Sequence, residues 1–201
     1  GGRPPYPGGK GPRRGLISAY GQASRYRQPA LHFPRFPENT MKGDKKIIDI
    51  LNSLLAGELT AVDQYLIHGE MYADMGFGQL AEKALHESNH ELQHARALIQ
   101  RILFLEGKPD LAKREALKVG KNVPDMLKAD LDVEYKVVGE LKKAIAACEK
   151  AQDYVSRDML TVQLEDTEMD HAYYLEKQIK LIELVGLANY QQSQMGSAPA
   201  A

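Results

Sequence analysis

Four long helical stripes, one carboxylate near the middle of each, and a single long connection between the second and third predict an all-α fold. The expected architecture is a four-helix bundle with one long crossover and a short fifth helix at its C-terminal end. The first helix is predicted from Asp44 to about Asp74, where Ile47, Leu51, Leu54, Glu58, Val62 and Tyr65 recur at steps of three and four on one face. The second follows Gly76-Phe77-Gly78 and carries Leu80, Ala84, Glu91, Ala95, Leu98, Ile102 and Leu105 on its stripe. It stops at Gly107, with Pro109 beyond, which is a helix-ending pair. The third runs from near Pro124 with Leu127, Leu131, Glu134, Val138, Leu141, Ile145 and Cys148 on one seam. The fourth begins near Asp153, places Thr161, Leu164, Glu168, Ala172, Leu175, Ile179 and Ile182 on its seam, and ends at Gly186. Leu187 to about Gln194 makes the short tail helix.

Segments of roughly thirty residues give helices about 45 Å long, too long for an all-α fold of mixed crossing angles. Short turns join the first pair and the last pair, so each pair is an antiparallel hairpin. The connection from Lys108 to Val123 is long enough to run the length of the bundle.

The charge is unevenly distributed along the 201 residues. Residues 1–40 carry seven basic residues and one acid, whereas the remaining 161 carry nineteen and twenty-six, so a net charge of −1 conceals a basic and an acidic half. The first forty residues also hold seven of the ten prolines and seven of the seventeen glycines, a composition that predicts a disordered extension. Met41-Lys-Gly-Asp reads as a natural start. The preceding segment then reads as an addition to the domain, a flexible tail or a targeting sequence. Residues 41–201 suit one domain with a real core. The near-neutral total gives no reason to expect nucleic acid, and no run of eighteen apolar residues predicts a membrane span. The lone Cys148 excludes a disulfide framework and fits a reducing, cytoplasmic compartment.

The chemistry is carried by the four seam carboxylates, Glu58, Glu91, Glu134 and Glu168. Burying ionised carboxylates costs several kcal/mol each even after relaxation, so unpaired acids in these positions require cations. Two of them have a histidine three residues on, as Glu91-Leu-Gln-His94 and Glu168-Met-Asp-His171, and such pairs project from one helix face. Glu58 precedes Glu91 by 33 residues and Glu134 precedes Glu168 by 34, so each hairpin supplies one lone Glu and one Glu-x-x-His. Two hairpins make a two-metal site. Four carboxylates balance two divalent ions, and the oxygen-rich donor set favours iron or manganese, with zinc as a competitor. A lone Glu from each of two helices, with a Glu-x-x-His from each of the other two, is the known donor pattern of di-iron and di-manganese carboxylate bundles. Glu87-Ser-Asn-His90 has the same spacing but falls outside the pairing and reads as a decoy. Tyr65, two turns beyond Glu58, reads as core or as an electron donor; His68 reads as a surface or capping residue; His86 and His90 read as a solvated face or a weak second metal site.

Met41-Lys-Gly-Asp, Arg101-Ile-Leu-Phe-Leu-Glu-Gly107, Asp153-Tyr-Val-Ser-Arg-Asp-Met159 and the two Glu-x-x-His motifs closely resemble the bacterioferritin family over residues 41 to about 195. The resemblance implies a ferritin-like bundle that assembles from two-fold dimers into a hollow shell of 24 subunits, takes Fe(II), and uses dioxygen or hydrogen peroxide to store Fe(III) mineral. It also implies two irons per subunit. Glu58 and His94 would be terminal ligands of one, Glu134 and His171 of the other, with Glu91 and Glu168 bridging. The family ligates haem b through a methionine directly after the first bridging glutamate, and that position is Leu92. His90 likewise replaces an aspartate often found there, which alters an inner-surface iron site that includes His86. Leu85, Leu92 and Ile99 form a second apolar stripe on the second helix, as a two-fold partner requires.

Iron storage with ferroxidase activity is therefore the expected function. The alternatives are a ferroxidase-bearing subunit of a mixed shell, with a sibling bacterioferritin subunit holding haem, and a di-iron peroxidase or oxygenase.

Overall fold

A computed structural model describes residues 42–196, so the predicted disordered extension lies outside the described residues. Helix α1 spans Lys45–Asp74, α2 Gly78–Phe104, α3 Val123–Lys150, α4 Tyr154–Asp166, α5 Tyr173–Val185 and α6 Leu187–Gln194. A π-helical segment, Thr167–Ala172, joins α4 to α5 without a break, so these three pieces form the fourth long rod of a four-helix bundle. The fold is the predicted one. Among the described residues the only β pairing is an isolated bridge between Phe77 and Gly196, and no helix is long and apolar enough to cross a membrane.

The helix starts follow from local chemistry. Asp44 accepts from the backbone N–H of Lys46, Asn122 from that of Asp125 with Pro124 in the first turn, and Asp153 from that of Ser156. The first three rods end alike. Gly76, Glu106 and Gln152 take positive φ, and the next residue's N–H returns to a carbonyl five positions back, as in Phe77 to Tyr72, Gly107 to Ile102 and Asp153 to Cys148. At the second end the left-handed residue is therefore Glu106, one position before the predicted glycine.

Two apolar clusters fill the bundle. One includes Leu51, Leu55, Leu98, Ile102, Leu141 and Leu160; the other includes Tyr72, Leu80, Met126, Leu127, Leu175 and Tyr190, the last of which anchors α6. Glu58, Glu91, Glu134 and His171 are buried along the same helices, at positions between these two sets.

The crossover is tied to α1 by a ladder of polar side chains. Asn52 Oδ1 accepts from the N–H of Asp110 at 2.8 Å, Thr60 Oγ1 from Glu115 at 2.8 Å, Gln64 Oε1 from Lys118 at 3.1 Å and His68 Nε2 from Gly120 at 3.1 Å. His68, expected at the surface, is fully buried, with Nδ1 2.8 Å from Asp130 Oδ1 on α3. At Gly120 only a hydrogen fits, since a Cβ would lie 2.4 Å from the backbone nitrogen of Met126.

The fourth rod departs from the prediction in phase. Ser156, Leu160, Gln163 and Thr167 face inward, while Thr161 and Glu168 are exposed and Leu164 is half-buried; Ala172 and Leu175 are buried as expected. The π segment is the cause. Each α-helical residue turns the chain by about 100°, so a surplus residue in one wide turn rotates everything upstream by one position relative to everything downstream. An unbroken period fitted to Ala172, Leu175 and Ile179 therefore lands one residue late on the upstream half.

Candidate metal centre

Each rod contributes to a cluster at mid-height. α1 supplies Glu58, α2 supplies Glu91 and His94, α3 supplies Glu134 and the π segment supplies His171; the three glutamates and His171 are at most 3% exposed and His94 6%. Among the described residues four groups have ligand-capable atoms within 4.8 Å of one another: two outer ones, Glu87, His90, Asp170 and His171, and His90, His94 and Asp166, and two inner, buried ones, Glu58, Glu91 and His94, and Glu91, Glu134 and His171. Glu91 belongs to both inner groups. Its Oε2 lies 3.1 Å from His94 Nδ1 and its Oε1 lies 2.9 Å from His171 Nδ1. His94 Nδ1 is 3.9 Å from Glu58 Oε2, and His171 Nδ1 is 3.6 Å from Glu134 Oε2. Tyr65, in the core as one reading had it, also donates to Glu134 Oε1 at 2.5 Å.

Five of the six expected residues are thus brought together and one is not. Glu168 points away from the cluster and pairs with Lys142 of α3 at 2.6 Å, its side chain 42% exposed. The phase shift in the fourth rod explains this: within the widened turn, three residues no longer bring Glu168 onto the face of His171. Behind His171, on the outer side of the cluster, stands a residue that the sequence reading set aside. Glu87 is 2% exposed, and its Oε2 lies 2.9 Å from His171 Nε2. Its Oε1 lies 2.5 Å from Lys83 Nζ and 3.0 Å from His86 Nδ1. The available signal was Lys83 itself, four residues before Glu87 on the same face. His90 is partly exposed, with Nδ1 2.8 Å from His171 Nε2, and its ring centroid is 4.9 Å from that of His94. His86 is 66% exposed.

The electrostatics are those of a frustrated acid cluster. Burial, then the charge of Glu91, raises the carboxyl of Glu58 well above the ordinary range. Burial and Glu91 likewise push Glu134 up to about 7, against the hydrogen bonds from His171 and Tyr65. Burial pushes Glu91 the same way, but hydrogen bonds to His171 and His94 outweigh it and hold Glu91 well below the usual range. His171 is raised far above its ordinary value despite burial, because Glu134, Glu87 and Glu91 surround it, and His94 is raised by Glu91. Protons thus hold together groups that repel as anions. Glu58 Oε2 and His171 Nδ1 remain buried without an aligned hydrogen bond, which is unusual for native polar atoms. Carboxylate oxygens and one imidazole per group, converging on unpartnered atoms, fit two hard or borderline divalent cations.

The family model of the ferritin-like domain matches residues 48–185, which include all of these side chains. The chain is 55% identical over 155 residues to a "Bacterial ferritin" of Synechocystis sp., spanning 77% of this chain and 99% of that protein. It is 51% identical over 155 residues to a "Bacterial ferritin" of Neisseria meningitidis, covering 77% and 100%. To a "Bacterioferritin" of Brucella melitensis it is 41% identical over 160 residues, covering 80% and 98%.

Proposed function

Because the chain belongs to the ferritin family, we propose that it is an iron-storage subunit that oxidises its own cargo at the cluster between the four rods. The observation that carries the reading is Glu91, shared by two buried carboxylate–imidazole groups at the middle of the bundle. Two Fe(II) ions are the substrate, with Glu58 and His94 holding one, Glu134 and His171 the other, and Glu91 bridging. Glu168 completes the bridge by leaving Lys142. The two Fe(II) ions would give up one electron each, and these two electrons with two protons reduce dioxygen to hydrogen peroxide or hydrogen peroxide to two waters; the resulting Fe(III) passes to a mineral inside a shell of about 24 subunits.

The residues of this chain set the conditions. Bringing two dications into the cluster displaces protons from Glu58, Glu134 and the imidazoles, so binding converts a proton-held acid cluster into a metal-held one. Tyr65 fixes the Glu134 carboxylate through its hydroxyl. The apolar clusters on either side exclude water and keep the donor geometry rigid. The exposed apolar side chain of Leu92, flanked by half-buried Leu85 and Ile99 on α2, suits a two-fold subunit contact. Leu92 itself lacks the donor atom that haem ligation needs, which favours a haem-free homo-oligomer or a mixed shell with a sibling subunit holding the haem b.

Anaerobic Co(II) and Fe(II) titration of the assembled protein, followed by admission of dioxygen to the Fe(II)-loaded sample, tests the reading. Wild type should bind two ions per subunit tightly and oxidise Fe(II) rapidly in a particle of shell mass. Glu134→Ala should keep the mass and lose rapid oxidation. Wild-type oxidation kinetics in that variant would refute the assignment.

A further inference from the structure

Both imidazoles of the cluster are oriented alike. His94 and His171 each present Nδ1 to the inner carboxylates and Nε2 to the outside. Their outer partners differ. His94 Nε2 faces Asp166 Oδ2 at 3.4 Å, and that aspartate is 39% exposed. His171 Nε2 faces two groups, Glu87 Oε2 at 2.9 Å and His90 Nδ1 at 2.8 Å, and Glu87 is almost wholly buried.

A buried carboxylate behind an imidazole needs a reason, because its burial is costly unless it is both paired and hydrogen-bonded. Lys83 and His86 take one of its oxygens, which anchors the carboxylate to α2. The other oxygen has no aligned hydrogen bond and is aimed at His171 Nε2. It lies on the opposite side of the ring from Glu91 and Glu134, so Glu87 does not reach the atoms that the inner nitrogen reaches.

We propose that Glu87 is a positioning residue: it holds His171 with the proton on Nε2, so that Nδ1 offers its lone pair to the cation shared with Glu134. The inference rests on the two-metal reading of the cluster and deepens it. A carboxylate behind a ligating histidine fixes the tautomer and the ring plane and raises the basicity of the ligating nitrogen. His171 needs such a partner more than His94 does. It is carried by the π segment, whose backbone hydrogen bonds are wider than those of an α-helix, so the rod alone constrains its direction less well. His90, only partly buried, has Nδ1 2.8 Å from the same Nε2, and with Nδ1 as the acceptor it accommodates the proton that Glu87 holds there.

The test is an anaerobic Co(II) titration of the full-length assembled protein, read by visible absorption and by the number and affinity of bound ions. Wild type, Glu87→Gln, Glu87→Ala and Asp166→Asn are compared. Glu87→Ala should weaken one of the two ions by about 10- to 100-fold and shift its absorption, leaving the other unchanged. Glu87→Gln keeps an acceptor oxygen but loses the charge, so it should fall between Ala and wild type. Asp166→Asn, which lies behind His94, should leave the ion held by His171 unchanged. Two unaltered ions in Glu87→Ala would overturn the inference while leaving the metal reading intact; a wild type that binds no Co(II) would overturn both. Equal losses in Glu87→Ala and Asp166→Asn would mean that nearby charge, not the clamp on His171, sets the affinity. Failure of Glu87→Gln to assemble would assign Glu87 to the fold. Either result would also refute the proposal.

Discussion

Replacing His68 by leucine should loosen the crossover without unfolding the bundle. His68 Nε2 accepts from the N–H of Gly120, so the ring's proton sits on Nδ1 and is donated to Asp130. Leucine removes both bonds at once. Asp130 is left with Gln64 as its hydrogen-bond partner, and the Gly120 N–H loses its acceptor in a partly buried place. A hydrogen bond to a charged group contributes about 1.5–3 kcal/mol, and an orphaned buried donor costs about 1–3 kcal/mol. The Asp130 loss falls on α3 and on global stability, whereas the Gly120 loss falls on the crossover alone. With every 1.4 kcal/mol a factor of ten, the crossover share corresponds to roughly 10- to 100-fold faster local opening. Hydrogen–deuterium exchange measured by mass spectrometry on peptides covering residues 108–122 reads this directly. Exchange there should accelerate far more than in the peptides of α2. Unchanged exchange in the crossover, or an equal rise everywhere, would refute the ladder as its tether.

The acid cluster also gives a pH dependence. Glu134 sits at about 7, above its unfolded value of 4.5, so its protonated form favours the fold; this contribution is present at low pH and is lost as pH rises through 7. The raised His171 and His94 act in the same direction, so the melting temperature of metal-free protein should fall between pH 6 and 8, and a rise over that range would contradict the cluster. Co(II) competes with the same protons, so its affinity should climb with pH across the window, measured by titration at fixed ionic strength. Leu92→Met adds a thioether at an exposed position of α2 with little change in bulk, and it should convert a protein that purifies without six-coordinate haem into one that takes haem b at one per dimer. Absorption spectroscopy after haem addition decides it, and equal low-spin haem in wild type would sink the reading of that position.

Most of the bundle was legible because its helices are long and their period is clean. Leu51, Leu54 and Glu58 on α1, or Leu127, Leu131 and Glu134 on α3, lie where a 3.6-residue period places them. Asp44, Asn122 and Asp153 announce helix starts through side chains whose bonding is local. What could not be read depends on partners remote in sequence. His68 is polar at a helical step from Gln64 and Thr60, a pattern identical to a solvated face until the crossover is laid over it. Glu87 and His90 have the spacing of a ligand pair, yet each faces His171, 81 to 84 residues away. The fourth rod hid its phase because a single surplus residue leaves composition unchanged and alters only the register between two well-patterned halves.

That surplus residue behaves like a dislocation in a crystal. The lattice on either side is regular, and the defect is the plane across which the two sides are offset by one step. A dislocation can glide. If the wide turn between Thr167 and Ala172 moved one turn toward the N-terminus, the residues it passed would adopt the downstream offset while both ends of the rod stayed where they are. Glu168 lies in that stretch, and the downstream offset is the one that turns it inward. Tyr190, buried at the far end, would keep its seat throughout. Sliding a fault along the helix, with the helix itself left in place, would bring Glu168, the fourth seam carboxylate, toward the cluster while disturbing neither the short last helix nor the contacts of Leu160.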